Sequence, residues 1–234
     1  TLLSNADLIF AIVRPDIKLL KLFKKGSILI CQMETYINSN ELKDIAKLGI
    51  TCFALEQVPR ISRAQSMDVL SSQSNLAGYR AVIEASQIYR KAFPMMMTAA
   101  GTIPPARVLV MGAGVAGLQA IATAKRMGAI VSATDVRPAA KEQVESLGGK
   151  FVAVEDEEFK EAESSGGYAK QMSAAYQKKQ AELVSKTISD QDIVITTALI
   201  PGKPAPKLIS DEMIKSMKPG SVIVDLAAVA GGNC

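Results

Sequence analysis

Arg107 to Met111 (RVLVM), followed at once by Gly112-Ala113-Gly114-Val115-Ala116-Gly117, constrains the fold more than any other part of the chain. A continuous apolar run such as Val108 to Met111 is what a strand buried on both faces requires. The glycines fit G-x-G-x-x-G, a pattern that is weak alone and gains its meaning from its flanks. Here it leaves a strand and opens a helix, Gly117 to Met127. A second strand, Ile130 to Thr134, then runs into the acidic Asp135. Each position has a task in dinucleotide binding. Gly112 permits the tight turn, Gly114 lets a pyrophosphate approach the backbone, and Gly117 lets helix and strand pack closely. The helix N-terminus presents free N–H groups to the phosphates. Asp135 would accept from the adenosine ribose hydroxyls and repel a 2′-phosphate, which favours NAD(H) over NADP(H). Arg137 pulls the other way, since an arginine near that point can serve NADP. With NAD bound it would cover the adenine or pair with a carboxylate. The competing explanation is a glycine-rich structural turn in an α/β protein.

The rest of the chain reads as more of the same architecture. Strand-like runs at Ala6 to Val13, Gly26 to Cys31 and Ile50 to Ala54 alternate with short helices at Pro15 to Phe23 and Asn40 to Leu48. Alternation of this kind predicts a parallel sheet with helices on its faces. The polar stretch Val58 to Ser74 breaks the pattern. Asn75 to Arg90 then reads as a bridging helix, and Ala99 to Pro105 as a connector. Beyond the glycine loop come a helix at Ala139 to Leu147, a short strand at Lys150 to Val154 and the acidic run Glu155 to Glu163. Gly166-Gly167-Tyr168 interrupts the next helical stretch, which resumes over Gln171 to Ser185. A strand at Asp192 to Thr197 and a last helix and strand ending at Leu226 follow. The expected class is α/β, with two Rossmann-like domains of parallel sheets flanked by helices, the first incomplete. The expected division is 1–71, a bridging segment 72–105, and a nucleotide-binding domain 106–234.

Composition excludes several chemistries. The 234 residues contain no histidine, so Ser-His-Asp and Cys-His nucleophilic sites and histidine-ligated zinc are ruled out within the chain. Three scattered cysteines, Cys31, Cys52 and Cys234, form neither a CxxC pair nor an even disulfide framework. No metal site is expected. A net charge of +4 without a dense basic stripe, and 5% aromatics, argue against nucleic-acid binding and fit solvated helix faces. The most apolar region, Pro94 to Ala124, is broken by Pro104, Pro105, Arg107 and glycines, so no membrane span is expected. Both ends, opening on Thr1 and closing on Cys234, read as cuts within a longer polypeptide.

A second polar constellation lies in the irregular stretch: Arg60, Arg63, Gln65, Asp68 and Ser71. Gln65, Asp68 and Ser71 recur at i, i+3 spacing, which would put them on one helical face. Gln, Asp and Ser supply the donors and acceptors that a nicotinamide carboxamide needs. From spacing alone, a polar interdomain loop with helix caps explains them as well.

The runs RISRAQSMDVLSSQSNLAGYRAV, FPMMMTAAGTIPPARVLVMGAGVAGLQAIATAKRMGA and TDVRPAAKEQVESLGGKF resemble the NAD(H)-binding domain of proton-translocating NAD(P) transhydrogenases. So do GGYAKQM, ITTALIPGKPAP and MKPGSVIVDLA. The resemblance covers nearly the whole chain from Asn5. It implies two Rossmann-like domains facing each other across a cleft, as a homodimer. It also implies an NADP(H)-binding partner domain and a membrane domain outside this chain. The location implied is the cytoplasm, or the matrix face of the mitochondrial inner membrane, held there through the complex. By the same resemblance, Arg60, Gln65, Asp68 and Ser71 match a loop set against the nicotinamide. Val115 and the Asp135-Val136-Arg137 run match pyrophosphate and adenosine contacts. Gly167, Tyr168 and Met172 match a loop closing over the nucleotide, although by itself Tyr168 reads as an exposed loop aromatic. Gln180 and Leu199 match further nucleotide contacts.

The implied activity is direct hydride transfer from NADH here to NADP+ on the partner domain. That step needs two rings held at near-attack distance with water excluded, and no general base. The absence of histidine therefore costs this chemistry nothing. Alanine dehydrogenases share the domain order but use a lysine and a histidine, and the counterparts here fall near Val13 and Glu34. The remaining alternative is a non-catalytic NAD-binding module.

Overall fold

The computed structural model describes residues 2–35, 39–59, 61–160, 173–200 and 202–234. The chain divides into two compact units, Thr1–Gln73 and Ser74–Cys234.

The first unit opens with α1 (Leu2–Asn5) and β1 (Leu8–Val13). Then come α2 (Ile17–Leu20), β2 (Ile28–Gln32), α3 (Ser39–Ala46) and β3 (Thr51–Ala54). The three strands form a parallel sheet in the order β1-β2-β3, with Phe10 opposite Ile30 and Ile30 opposite Phe53. Period-two alternation sends Leu29 and Cys31 of β2 into a core with Leu20 and Ile45. Leu8, Phe10 and Ile12 of β1 and Phe53 of β3 remain exposed. α2 is shorter than its sequence pattern suggests. Asp16 caps its start, accepting from the Leu19 N–H at 2.8 Å, and the chain turns out again after Leu20.

The polar stretch after β3 is not a featureless loop. It winds into 3-10 turns at Leu55–Gln57 and Ser62–Met67, then passes through Asp68 into the long α4 (Val69–Ile88). That helix starts six residues before the expected Asn75, because Asp68 supplies its N-terminal cap.

In the second unit, the expected connector is a two-stranded antiparallel hairpin, β4 (Met96–Thr98) and β5 (Gly101–Ile103). β6 (Arg107–Met111), α5 (Val115–Arg126), β7 (Ile130–Thr134), α6 (Ala139–Ser146) and β8 (Lys150–Phe151) follow. The chain then forms α7 (Glu157–Lys160), α8 (Ala174–Ile188), β9 (Ile193–Thr196), α9 (Asp211–Ser216) and β10 (Val222–Asp225). The five parallel strands lie in the order β10-β9-β6-β7-β8. β6 is the centre, and its alternate residues feed two cores. Val108 and Val110 pack with Val82, Ala120, Ile121 and Val144 of α4, α5 and α6. Leu109 and Met111 pack with Val184 and Ile188 of α8 and Met213 of α9. Both faces of the sheet are thus covered, as the unbroken apolar run Val108 to Met111 requires. Truncating Leu109 to alanine in such a setting costs about 2–5 kcal/mol.

Strand order reverses between β6 and β9. The crevice above the carboxyl ends of those two strands is where open α/β sheets place their ligands.

Candidate functional site

The glycine loop sits at the end of β6. Gly112 has φ +102°, a conformation side chains rarely adopt, and a Cβ on it would lie 2.6 Å from Thr197 Oγ1. A Cβ on Gly117 would fall 1.8 Å from the carbonyl oxygen of Gly112, so nothing larger than glycine fits there. Gly114 is different. It is the N-cap of α5, in extended conformation with no side-chain cap for the first turn, and a Cβ on it would meet nothing within 4 Å. The start of α5 is therefore open space ringed by backbone N–H donors, and a phosphate group fits such a cradle. Val115, the first residue of the helix, is exposed beside it.

Asp135 follows β7, but its carboxylate is already engaged. Oδ2 accepts from the Ala113 N–H at 2.7 Å, tying Asp135 to the glycine loop. Oδ1 accepts from the Arg137 N–H at 2.9 Å. The Arg137 guanidinium then donates from Nε to Oδ1 and from Nη2 to Oδ2, each at 2.9 Å. The side chain of Asp135 is 7% exposed and that of Arg137 is 31% exposed, so the arginine shields the carboxylate from solvent. Val136 between them is exposed.

Gln180 reaches from α8 to the same end of the sheet. Its Nε2 donates to Thr134 Oγ1 at 2.9 Å, and its Oε1 accepts from the Val154 N–H at 2.9 Å. Both ends of this carboxamide are thus used inside the protein. Leu199 is exposed on the loop that leaves β9.

That loop is anchored by residues that motif reading passed over. Thr197 Oγ1 donates to the carbonyl of Gly112 at 3.0 Å across the switch point. Asp225, ending β10, accepts from Thr196 Oγ1 and from the N–H groups of Ala227, Asn233 and Cys234. Burial pushes its carboxyl up, but these hydrogen bonds together pull it below its ordinary value. Asn233 is fully buried and ties down Ala198 and Pro206. Gly78 was also missed. A Cβ there would lie 2.0 Å from the Ala116 carbonyl, so α4 passes against the first turn of α5. A glycine inside a helix costs about 1 kcal/mol relative to alanine, and that was the available signal. Asn233 offered no such signal, since nothing in a lone asparagine tells a surface turn from a buried tie.

In the first unit, Gln65, Asp68 and Ser71 line one hollow of about 200 Å³ with Val58, Pro59 and Ala64. They do not share a helical face. Gln65 belongs to the 3-10 turn, Asp68 to the junction, and Ser71 to the first turn of α4. Asp68 Oδ1 accepts from the Ser71 N–H at 2.9 Å and Oδ2 from the Ser71 hydroxyl at 2.6 Å. The helix-cap explanation of these residues is thus realised in the structure alongside the hollow. Glu56, in the 3-10 turn that follows β3, accepts from the N–H groups of Met33 and Thr35. Burial raises its carboxyl, but those bonds carry it below its usual value. Val13 is exposed at the end of β1, and Glu34, just past β2, has φ +55°. Arg60, Gly167, Tyr168 and Met172 lie outside the described residues. Among the described residues, no group of His, Cys, Asp and Glu could hold a metal ion, and no helix is long and apolar enough to cross a membrane.

A doubly wound parallel sheet with a glycine-opened helix on its central strand defines a Rossmann-type α/β protein. Sequence models narrow this. One described as "Alanine dehydrogenase/PNT, C-terminal domain" matches residues 81–234, and one described as "Alanine dehydrogenase/PNT, N-terminal domain" matches residues 1–77. The chain belongs to the alanine dehydrogenase/PNT family. It is 61% identical over 237 residues to an NAD(P) transhydrogenase subunit alpha polypeptide of Rhodospirillum rubrum, with 99% of this chain and 62% of that protein covered. The crystal structure of transhydrogenase from Sinorhizobium meliloti superposes with a TM-score of 0.88 at 57% identity, covering 99% of this chain and 62% of that one. An L-alanine dehydrogenase structure matches at a TM-score of 0.76 and 21% identity over 98% of this chain and 58% of that one, a likeness of fold alone. The resemblance to transhydrogenases read from the sequence motifs is met by these matches. The chain spans about three fifths of the length of these relatives.

Proposed function

We propose that this chain is the NAD(H)-binding component of a proton-translocating transhydrogenase. The observation that carries the reading is the uncapped, open start of α5 at Gly114, set beside Asp135 in a chain of this family. Backbone N–H groups at Gly114 and Val115 hold the pyrophosphate. Asp135 accepts from the ribose hydroxyls once Arg137 releases its carboxylate, and Val136 and Arg137 flank the adenosine. Leu199 and Gln180 complete the nucleotide contacts within the second unit, and Gly167 and Tyr168 belong to the same reading. When bound, NADH supplies a hydride to NADP+ on a separate partner domain, and a membrane domain couples the exchange to proton movement.

The work of this chain's own residues is positional. Gln65, Asp68 and Ser71 orient the nicotinamide carboxamide, and Arg60 anchors the nicotinamide side. No proton has to be taken from a hydroxyl, which agrees with a chain that has no histidine. This reading also places the protein in a homodimer at the cytoplasmic or matrix surface of a membrane, attached through its complex. An alanine dehydrogenase activity is disfavoured by Val13 and Glu34, which offer neither an amine nor an imidazole at the ends of β1 and β2.

Titration calorimetry with NADH and NADPH tests the reading. Saturable binding of NADH, at least about tenfold tighter than NADPH, is expected. Absence of NADH binding, or equal affinity for both, would overturn it.

A further inference from the structure

Asn233 is the least conspicuous polar residue of the second unit and one of the most heavily used. It is fully buried. Its Oδ1 accepts from the Ala198 N–H at 3.0 Å, and its Nδ2 donates to the carbonyls of Ala198 at 2.9 Å and Pro206 at 2.8 Å. Its own carbonyl accepts from the Leu208 and Ile209 N–H groups, and its N–H donates to Asp225 Oδ2. One carboxamide therefore holds both stems of the loop that leaves β9. No other side chain can do this by simple replacement, because the site demands one acceptor and two donors in one small planar group.

The anchored stem continues directly into the crevice. Ala198 follows Thr197, whose hydroxyl donates to Gly112 of the glycine loop, and precedes the exposed Leu199. Strand order assigns the two halves of a dinucleotide to opposite sides of this point. By that rule the adenosine half would lie on the side of Asp135, β6 and β7, and the nicotinamide half on the side of the loop from β9.

We propose that Asn233 is a positioning residue for the nicotinamide half of the nucleotide, acting through the stem of the β9 loop and Leu199. The inference rests on the NAD(H)-binding reading above. It predicts a loss confined to one half of the ligand. A hydrogen-bond tie that merely held the fold together would affect both halves alike.

The test compares NADH with ADP, which carries the adenosine side alone, in the intact protein and in Asn233→Ser, Asn233→Asp, Leu199→Ala and the Asn233→Ser/Leu199→Ala double variant. Thermal melts establish which variants are folded. In Asn233→Ser, NADH binding is expected to weaken about tenfold while ADP binding changes less than about twofold. Leu199→Ala should weaken NADH binding in the intact background and add little in the Asn233→Ser background, as coupled positions do. Should Asn233→Ser not fold, Asn233→Asp keeps the volume and places an oxygen against two carbonyls, and the same NADH-specific loss is expected. Equal losses for NADH and ADP, no loss for either, or additive effects with Leu199→Ala would overturn the proposal. If the unmodified protein bound neither NADH nor ADP, the nucleotide-binding reading itself would fall.

Discussion

The guanidinium of Arg137 grips both carboxylate oxygens of Asp135, two positions earlier in the chain, with Nε to Oδ1 and Nη2 to Oδ2 at 2.9 Å each. Together with the Ala113 and Arg137 N–H groups, it fills the carboxylate's acceptor capacity. A ribose diol can reach Asp135 only by displacing the arginine. A partly exposed ion pair of this kind is worth about 1 kcal/mol. Arg137→Ala should therefore tighten NADH binding about three- to fivefold, read by calorimetry. Asp135→Asn should weaken NADH and narrow its advantage over NADPH. A weaker NADH complex in Arg137→Ala would mean that what the arginine gives the adenosine outweighs its competition for the acid.

Gly114 and Gly117 look alike in the motif but should respond oppositely to a methyl group. Gly114→Ala adds a carbon to open space at φ −75°, so the melting temperature should stay within about 2 °C while NADH binding is lost. Gly117→Ala pushes a carbon into the Gly112 carbonyl. It should destabilise the fold by several degrees before any question of binding arises. Parallel melts and titrations of the two variants check both claims.

Asp68 caps α4 and, in our reading, also faces the nicotinamide. Asparagine is as good a cap as aspartate. Asp68→Asn should thus leave the melting temperature within about 2 °C. Hydride transfer to NADP+ on a supplied partner domain should fall about tenfold or more, with NADH still bound. Asp68→Ala should show both defects. Unchanged transfer in Asp68→Asn would reduce Asp68 to a cap.

Asp225 and Glu56 are carboxyls held below their ordinary values by hydrogen bonds they accept. The sign of the pH dependence follows. Unfolded carboxyls titrate near 4, so the stability these groups add is complete above that pH and is lost as pH falls through their lower folded values. Melting temperatures should be flat with respect to these groups from neutrality down to about pH 5, then drop. In Asp225→Asn, an amide would face the N–H groups of Asn233 or Cys234 with a donor. That variant should be destabilised by about 1–3 kcal/mol at neutral pH and show a shallower acid drop. An unaltered acid profile would show that Asp225 contributes nothing to it.

Much of this architecture was legible because its signals are local. RVLVM needs cover on both faces whatever surrounds it, and Gly112 and Gly117 answer steric demands that recur wherever a strand turns tightly into a helix. Asp135 was placed correctly at the strand end, but its saturation by Arg137 depends on rotamers, which spacing does not encode. α4 begins early because one aspartate caps it. The same three residues that suggested a shared helical face instead meet across a junction of two helix types. The β4–β5 hairpin escaped because Met96, Met97 and Ile103 are exposed and carry no alternation. Asn233 and Thr197 escaped for a different reason. Their importance lies in contacts with residues 35 and 85 positions away, and no short window contains both partners.

The central place of β6 has a consequence for how the protein is made. Arg107 and Asp192, whose bond closes the β6–β9 pair, are 85 residues apart. A ribosome releases β6, β7 and β8 in succession, and these can pair as they emerge. One edge of β6 then stays open until β9 follows. For that interval the nascent chain shows an unpaired apolar edge of the kind that recruits other strands. It also possesses the glycine loop and Asp135 before it possesses Thr197, Leu199 or Asn233. Within the second unit the proposed nucleotide site is thus assembled in two instalments, adenosine side first, and Asn233 is the last of its residues to emerge.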